Sequence, residues 1–487
     1  MATFFVNNLN DSGAGSLREA LTTANSTPGN DSIVFNVSGQ INLIDPLVIT
    51  DDVRINWPAI VFRTPSGIPF FTSPTSTITI DGTGLDVEED IFQINGATVE
   101  MNNLVLNNST DDAIAVDSGD LKLFRVNIFN SGDDGIDFFS DGGLLQIVRS
   151  EIAQNGDDGI DVEASGGTIV VEGVKVYNNG DYGIDIEGND LTITINKSDV
   201  YDNDDSGLRL DDIETDDSFT TIKITSSSFD GNNDGIELES DGLTAFFSAV
   251  RANGNDGEGL QIEGDNGILA IIRSQFSNNG SDGLILDESA DNNELTIIDS
   301  LFNDNVNDGL DIDGDFNQVG VFGGSSRGNG DPLIQEPADG RGVEISGIGN
   351  SIFLNRMLIA NNYSTGDGGG IGIFGVNNII NLMSSVVKNN ESVGDGGGIF
   401  IEGIVPESDP VVPTGNQLIS RFNRIFDNFS ANDGGGIYIS QSAVASLFAN
   451  FISGNTDFNN GASDLFLAPS ANFVNLGANI IGTTLPI

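Results

Sequence analysis

The chain repeats itself, and the stride of the repeat limits its folds more than any other feature. A glycine precedes a short aliphatic segment at Gly135, Gly159, Gly183, Gly207, Gly235, Gly259, Gly283 and Gly309, at spacings of 24, 24, 24, 28, 24, 24 and 26 residues. The series continues more loosely at Gly342, Gly370, Gly398 and Gly436, and Ala113 in "DDAIAV" is a degenerate earlier member. A fixed period of this length signals a solenoid. The residues one and three places after these twelve glycines, from Ile136 and Phe138 to Ile437 and Ile439, are apolar in all 24 cases, although only 38% of the chain is hydrophobic. The residues two and four places after are mostly Asp or Glu in the early repeats. Period two describes a strand with one face in a core and the other in solvent.

Each period holds two or three such segments. Residues 159–182 read "GIDVE", a turn at "ASGG", then "TIVVEGV", "KVY" and a turn at "NNGD", with no helical periodicity. Leucine-rich repeats would show a Leu/Asn signature, and a propeller blade needs four strands in a longer period. The pattern predicts an all-β, single-stranded, right-handed parallel β-helix of roughly 18 coils stacked at about 4.8 Å. It runs over residues 36–487, behind a distinct N-terminal segment at 1–35. Five and four places before the glycines stand Asn130/Ser131, Gln154/Asn155, Asn178/Asn179, Asp202/Asn203, Asn278/Asn279 and Asp304/Asn305. Asn tolerates left-handed backbone angles, and stacked amides hydrogen-bond from coil to coil.

Two stretches break the period, at 323–341 and 403–417, and are read as loop insertions. Such loops are favoured places for function on a solenoid. Beyond residue 366 the acidic turns give way to "GDGGGIGIFG", "GDGGGIFIEG" and "NDGGGIYISQ". The final "NFVNLGANIIGTTLPI" reads as a strand and a tail, an edge able to recruit another chain.

The N-terminal segment is different. In "SLREALTTAN", residues 16–25, Leu17, Ala20 and Leu21 share one helical face behind a Ser16 N-cap, with Glu19 three residues on. This stretch resembles the "CSLREA"-type N-terminal domain of bacterial surface and secreted β-helix proteins, matching all but the Cys over Gly15–Ala20. The resemblance implies a helix plugging the open end of the first coil, and an extracellular or cell-surface location. No Sec-type signal is visible in "MATFFVNNLNDSG". The remainder resembles the pectin-lyase-like β-helix superfamily through its repeat pattern.

Composition excludes several chemistries. The chain has no Cys and no His, so a zinc site, a Cys nucleophile and a His-based triad are all impossible. A net charge of −55 makes nucleic acid and anionic membranes poor partners and cations good ones. No run of 18 apolar residues exists, so nothing spans a membrane as a helix.

Two enzymatic readings and one non-enzymatic reading are open. "STDDAIAV", residues 109–116, resembles the paired-aspartate motif of polygalacturonases, which implies Asp111 and Asp112 as general acid and base on a sugar. Those hydrolases also carry a His and an Arg-x-Lys element, which are absent here, and this acidic motif recurs in coil after coil. In calcium-dependent lyase chemistry on an acidic polysaccharide the base would be Arg209. It is the one basic residue two places after a repeat glycine, with Asp185 a coil before and Glu237 a coil after. Regular repeats without a distinctive site instead favour a structural or adhesive protein of the extracellular space or cell surface. Its partners would be copies of itself or cell-surface glycans.

Stacking also predicts columns of like charge. Asp133, Asp157, Asp181 and Asp205 form one, Asp137, Asp161 and Asp185 another, and Glu163, Glu187 and Asp211 a third, with Asp134 and Asp158 alongside. Residues 131–230 hold 24 acidic and 5 basic side chains. Two unit charges ~5 Å apart repel by about 3 kcal/mol at an effective dielectric constant of 20. Raised carboxylate pKa values, screening by salt or bound cations would each relieve the repulsion, and hard oxygen ligands in rows suit calcium best.

Overall fold

The structure is a computed structural model that describes the chain except for residues 57–61, 64–68, 71–76, 213–218, 331–338, 404–414, 460 and 487. Two units are compact in themselves, Met1–Asn232 and Asn233–Ile487. Each is a parallel β-helix, and the described residues make about 17 turns in all.

In the first unit a turn is three short strands, such as Ile160–Glu163, Gly167–Glu172 and Lys175–Tyr177. Each lies in parallel register on its counterpart one coil on: Ile160 on Ile184, Ile169 on Ile193, Val176 on Val200. The inward aliphatic residues therefore stack in columns, and Ile160, Ile184 and Leu208 are wholly buried. Burying one such side chain stabilises the fold by roughly 1.5–3 kcal/mol. In the second unit the third-strand position, held by Val176 and Val200 in the first, carries Phe276 on Phe302, with ring centroids 5.7 Å apart.

The turns explain the repeat signature. The residue five places before the glycine is left-handed: Asn130, Gln154, Asn178, Asp202, Asn278 and Asp304 have φ between 53° and 63°. The next residue points inward. Asn155 Nδ2 donates to Asn179 Oδ1 and Asn179 Nδ2 to Asn203 Oδ1, both at 2.9 Å, while the backbone N–H groups of Asn155 and Asn179 donate to the same two oxygens at 3.2 Å. A side chain at the repeat glycine would collide with this amide and with the carbonyl of the next coil's glycine. A Cβ on Gly159 would stand 2.7 Å from Asn179 Nδ2, and one on Gly283 would stand 2.6 Å from Asn305 Nδ2.

The N-terminal helix spans Leu17–Asn25, buries Leu17, Ala20, Leu21 and Ala24, and packs on strands Thr3–Val6, Asp31–Phe35 and Leu47–Ile49. Ser16 Oγ accepts the Glu19 N–H at 3.2 Å, and Glu19 Oε2 accepts the Gly15 N–H. Arg18 pairs with Asp11 and donates to the carbonyls of Asp45 and Pro46. Every residue of "SLREA" is thus occupied in capping the helix or fastening it to the first coils. No helix among the described residues is long and apolar enough to cross a membrane.

Of the stretch 323–341, Ser325–Arg327 is a ladder strand in register with Leu301–Asn303 and Leu358–Ala360, so 323–330 continue the coil. Residues 331–338 and, in the other insertion, 404–414 lie outside the described residues. The later coils add a fourth strand, at Tyr363–Ser364, Glu391–Ser392 and Phe429–Ser430. Their glycine-rich turns then fold over an outward row of rings. Phe400 stacks on Tyr438 with centroids 5.5 Å apart and Tyr438 on Phe466 at 5.0 Å. A Cβ on Gly434, where φ is 71°, would come within 2.9 Å of Tyr438 Cβ.

Candidate functional site

The acidic columns lie side by side along the first strand of each turn and the turn before it. Register places Asp137 on Asp161, Asp161 on Asp185 and Asp185 on Arg209. Glu163 stacks on Glu187 and Glu187 on Asp211. In the turn, backbone hydrogen bonds of 3.0–3.2 Å carry Asp157 onto Asp133, Asp181 onto Asp157 and Asp205 onto Asp181.

Depth separates these groups in a way that alternation does not show. Asp133 and Asp157 are exposed, whereas Asp111, Asp181 and Asp205 are partly covered. The outward row is not open surface: Asp137 and Asp161 are half-buried, and Asp185 is 7% exposed. Burial and neighbouring carboxylates push Asp137 and Asp185 up to about 6 and Asp161 to about 7. Burial, then the charge of Asp133, also raises Asp157.

Asp112, Asp134 and Asp158 form an inner column that the sequence reading did not separate from the surface. Asp112 Oδ1 accepts the N–H of Asp134 at 2.9 Å, Asp134 Oδ1 that of Asp158 at 2.8 Å, and Asp158 Oδ1 that of Tyr182 at 2.7 Å. Burial pushes the three up to about 8, 9 and 8, against the opposing pull of those N–H donors. Each spends one oxygen on holding the next coil. The sequence signal was present, because each stands immediately before a repeat position, at Ala113, Gly135 and Gly159. The same position in the second unit holds Asp282 and Asp308, where Asp282 Oδ1 accepts the Asp308 N–H at 2.6 Å.

Oxygens from Asp158, Asp161 and Asp185 all lie within 4.8 Å of one another. The same is true of Asp157, Asp158 and Asp181, of Asp133, Asp134 and Asp157, and of Asp90, Asp111 and Asp112. Asp90 was not singled out in the sequence, since it precedes the recognisable repeat. Asp111 and Asp112 do come together, but Asp112 is directed along the inner column.

Arg209 is held by carboxylates on three sides, at 3.2 Å from Asp185, 2.9 Å from Glu187 and 2.7 Å from Asp211, and its guanidinium lies 5.6 Å from the centre of the Tyr182 ring. A guanidinium so engaged neutralises the top of the ladder. Replacing Arg209 with Met should destabilise the protein by about 2 kcal/mol at pH 8, because carboxylates around it lose their counter-charge. The loss should be smaller at pH 5, where Asp185, pushed up to about 6 by burial, is largely protonated. Equal loss in denaturant melts at both pH values would show that Arg209 acts through packing alone.

The fold and repeat define a right-handed parallel β-helix. A family model described as "Right handed beta helix region" matches residues 89–246 and 210–325. No curated protein gives a significant match. Among solved structures the chain is similar to tailspike protein 3 of bacteriophage CBA120, at 15% identity and a TM-score of 0.45, over 72% of this chain and 56% of that one. It thus spans little more than half of the tailspike. It is also similar to pectate lyase Pel9A (14% identity, TM-score 0.39, 53% of this chain and 70% of that). A further match is the periplasmic alginate epimerase AlgG (13% identity, TM-score 0.45, 65% of this chain and 79% of that).

Proposed function

We propose that the protein is a non-enzymatic structural or adhesive β-helix of the extracellular space or cell surface, which binds calcium along the acidic columns of its N-terminal unit. Through that calcium it holds acidic glycans or further copies of itself. The observation that carries this reading is the recurrence, among the described residues, of carboxylate triplets on successive coils, with oxygens within 4.8 Å, in a stretch that holds 24 acidic and 5 basic side chains over residues 131–230. Hard oxygen donors at that spacing, several of them in the same row, are what calcium requires. A catalytic centre is a single place, whereas this arrangement is distributed. Of the three groups that enzymatic chemistry would use, Asp111, Asp112 and Arg209, two are engaged, Asp112 with the next coil and Arg209 with three carboxylates.

The test is thermal melting with millimolar calcium against sodium at matched ionic strength. Calcium should raise the melting temperature by about 10 °C more than sodium, following the stabilisation that any ligand of the folded state brings. Asp161→Asn with Asp185→Asn should remove most of that gain, and equal effects of the two salts would overturn the calcium reading. Pectate, alginate and neutral glycans should be offered with and without calcium. Calcium-dependent binding without cleavage is expected, and release of unsaturated uronides that is lost in Arg209→Ala would replace the reading with a lyase.

A further inference from the structure

A second cluster of charge lies in the unit Asn233–Ile487, outside the columns described above. Asp311 sits between Leu310 and Ile312, which are wholly buried, so by alternation it faces outward. It is nevertheless only 8% exposed, and its Oδ1 is enclosed without a hydrogen-bond partner. A buried carboxylate oxygen left without a donor is costly, and its position calls for an explanation.

The neighbours of Asp311 narrow the possibilities. Pairing of Leu310 with Val343 sets Glu344 beside Asp311 on the next coil, and Glu344 in turn pairs with Gly372. Arg341, 4% exposed, bonds to Glu344 and donates through Nε to the Asp367 carbonyl at 2.8 Å. Its guanidinium lies 4.7 Å from the centre of the Phe374 ring. A Cβ on Gly372 would stand 2.7 Å from Arg341 Cδ, so Arg341 fills the slot that Gly372 leaves in the row. Asp308 Oδ1 accepts the Arg341 N–H. The charged groups acting on Asp311 and Asp308 are thus Asp282, Asp313 and Glu344, with Arg341 as the opposing charge.

We infer that Asp311, with Glu344 and Asp282 around it, forms a binding site for one divalent cation of the hard, oxygen-seeking class, calcium or magnesium. The enclosed oxygen of Asp311 supplies the unspent ligand, and the excess of carboxylate over guanidinium supplies the charge. The site is separate from the columns of the first unit and does not depend on their binding cations.

Calorimetric titration of the whole chain with calcium and then magnesium tests the site. It should be run on the native protein, on Asp161→Asn with Asp185→Asn, and on Asp311→Asn. The first-unit double variant should retain the saturable site that Asp311→Asn loses or weakens at least tenfold. Unchanged stoichiometry and affinity in a folded Asp311→Asn variant would overturn the inference. Should that variant fail to fold, Glu344→Gln gives the same reading. Crystals of the native protein soaked in strontium settle the position: anomalous density within coordination distance of Asp311 is expected, and its absence at saturation would sink the proposal.

Discussion

Without divalent cations and at low salt, the protein should melt about 10 °C lower at pH 8 than at pH 5. Unfolded aspartates titrate near 3.9. In the folded protein Asp112, Asp134 and Asp158 are pushed up to about 8, 9 and 8, Asp161 to about 7, and Asp137 and Asp185 to about 6. The folded state therefore holds protons that the unfolded state has already released. The contribution is complete below pH 4 and is lost as pH rises through 6 to 9, opposite to the usual salt-bridged carboxylate. One group shifted as far as Asp161 represents on the order of 4 kcal/mol, so a fraction of the whole set accounts for the expected difference. Under the proposed function, calcium should flatten the profile by replacing those protons. A cation-free profile that is flat, or that rises towards pH 8, would show that the columns are solvated and ionised throughout.

The other large effect belongs to the amide ladder. Asn305→Leu should destabilise the second unit by about 4 kcal/mol. Asn305 Oδ1 accepts from the backbone N–H and the side-chain Nδ2 of Asn279, at 3.1 and 3.2 Å. Its Nδ2 donates to Asn329 Oδ1 and the Phe276 carbonyl, both at 3.2 Å. Leucine fills the space but takes the acceptor from the buried Asn279 N–H and from one of the two Asn279 Nδ2 bonds, leaving the other to the Ala252 carbonyl, and takes a donor from the Phe276 carbonyl, and each such loss costs about 1–3 kcal/mol. Gly283→Ala should be nearly as damaging, because its Cβ would meet Asn305 Nδ2 and the Gly309 carbonyl, each at 2.6 Å. Combined with Asn305→Ala, which removes the first clash, Gly283→Ala should cost roughly 1–2 kcal/mol less than the sum of the singles. Strict additivity in urea melts would mean that the glycine serves the backbone and not the amide.

Much of this was legible in the sequence because a solenoid writes its contacts into its period. The 24 apolar positions around the repeat glycines and the stacked amides of the Asn-rich turns were read from spacing, since each coil meets the next at a fixed offset, whereas only the structure shows that residues 130, 154 and 178 are left-handed and that Asn155, Asn179 and Asn203 point inward. The capped helix at the N-terminus followed from one short string. Depth was another matter. Alternation tells which way a residue faces, not what the neighbouring turn lays over it. Asp157 and Asp158 are adjacent and chemically identical, yet one is exposed and the other is buried and bonded to Tyr182. Asp161 and Asp185 face away from the core and are still largely covered. Arg341 comes to fill the slot over Gly372 from a coil whose spacing had lapsed, and the glycine-rich turns were needed for the rings beneath them. The sequence by itself determined which residues stack on which, because that depends only on the stride. The tertiary structure alone decided which of those stacks lose their water, because that depends on how far each turn leans over the row beside it.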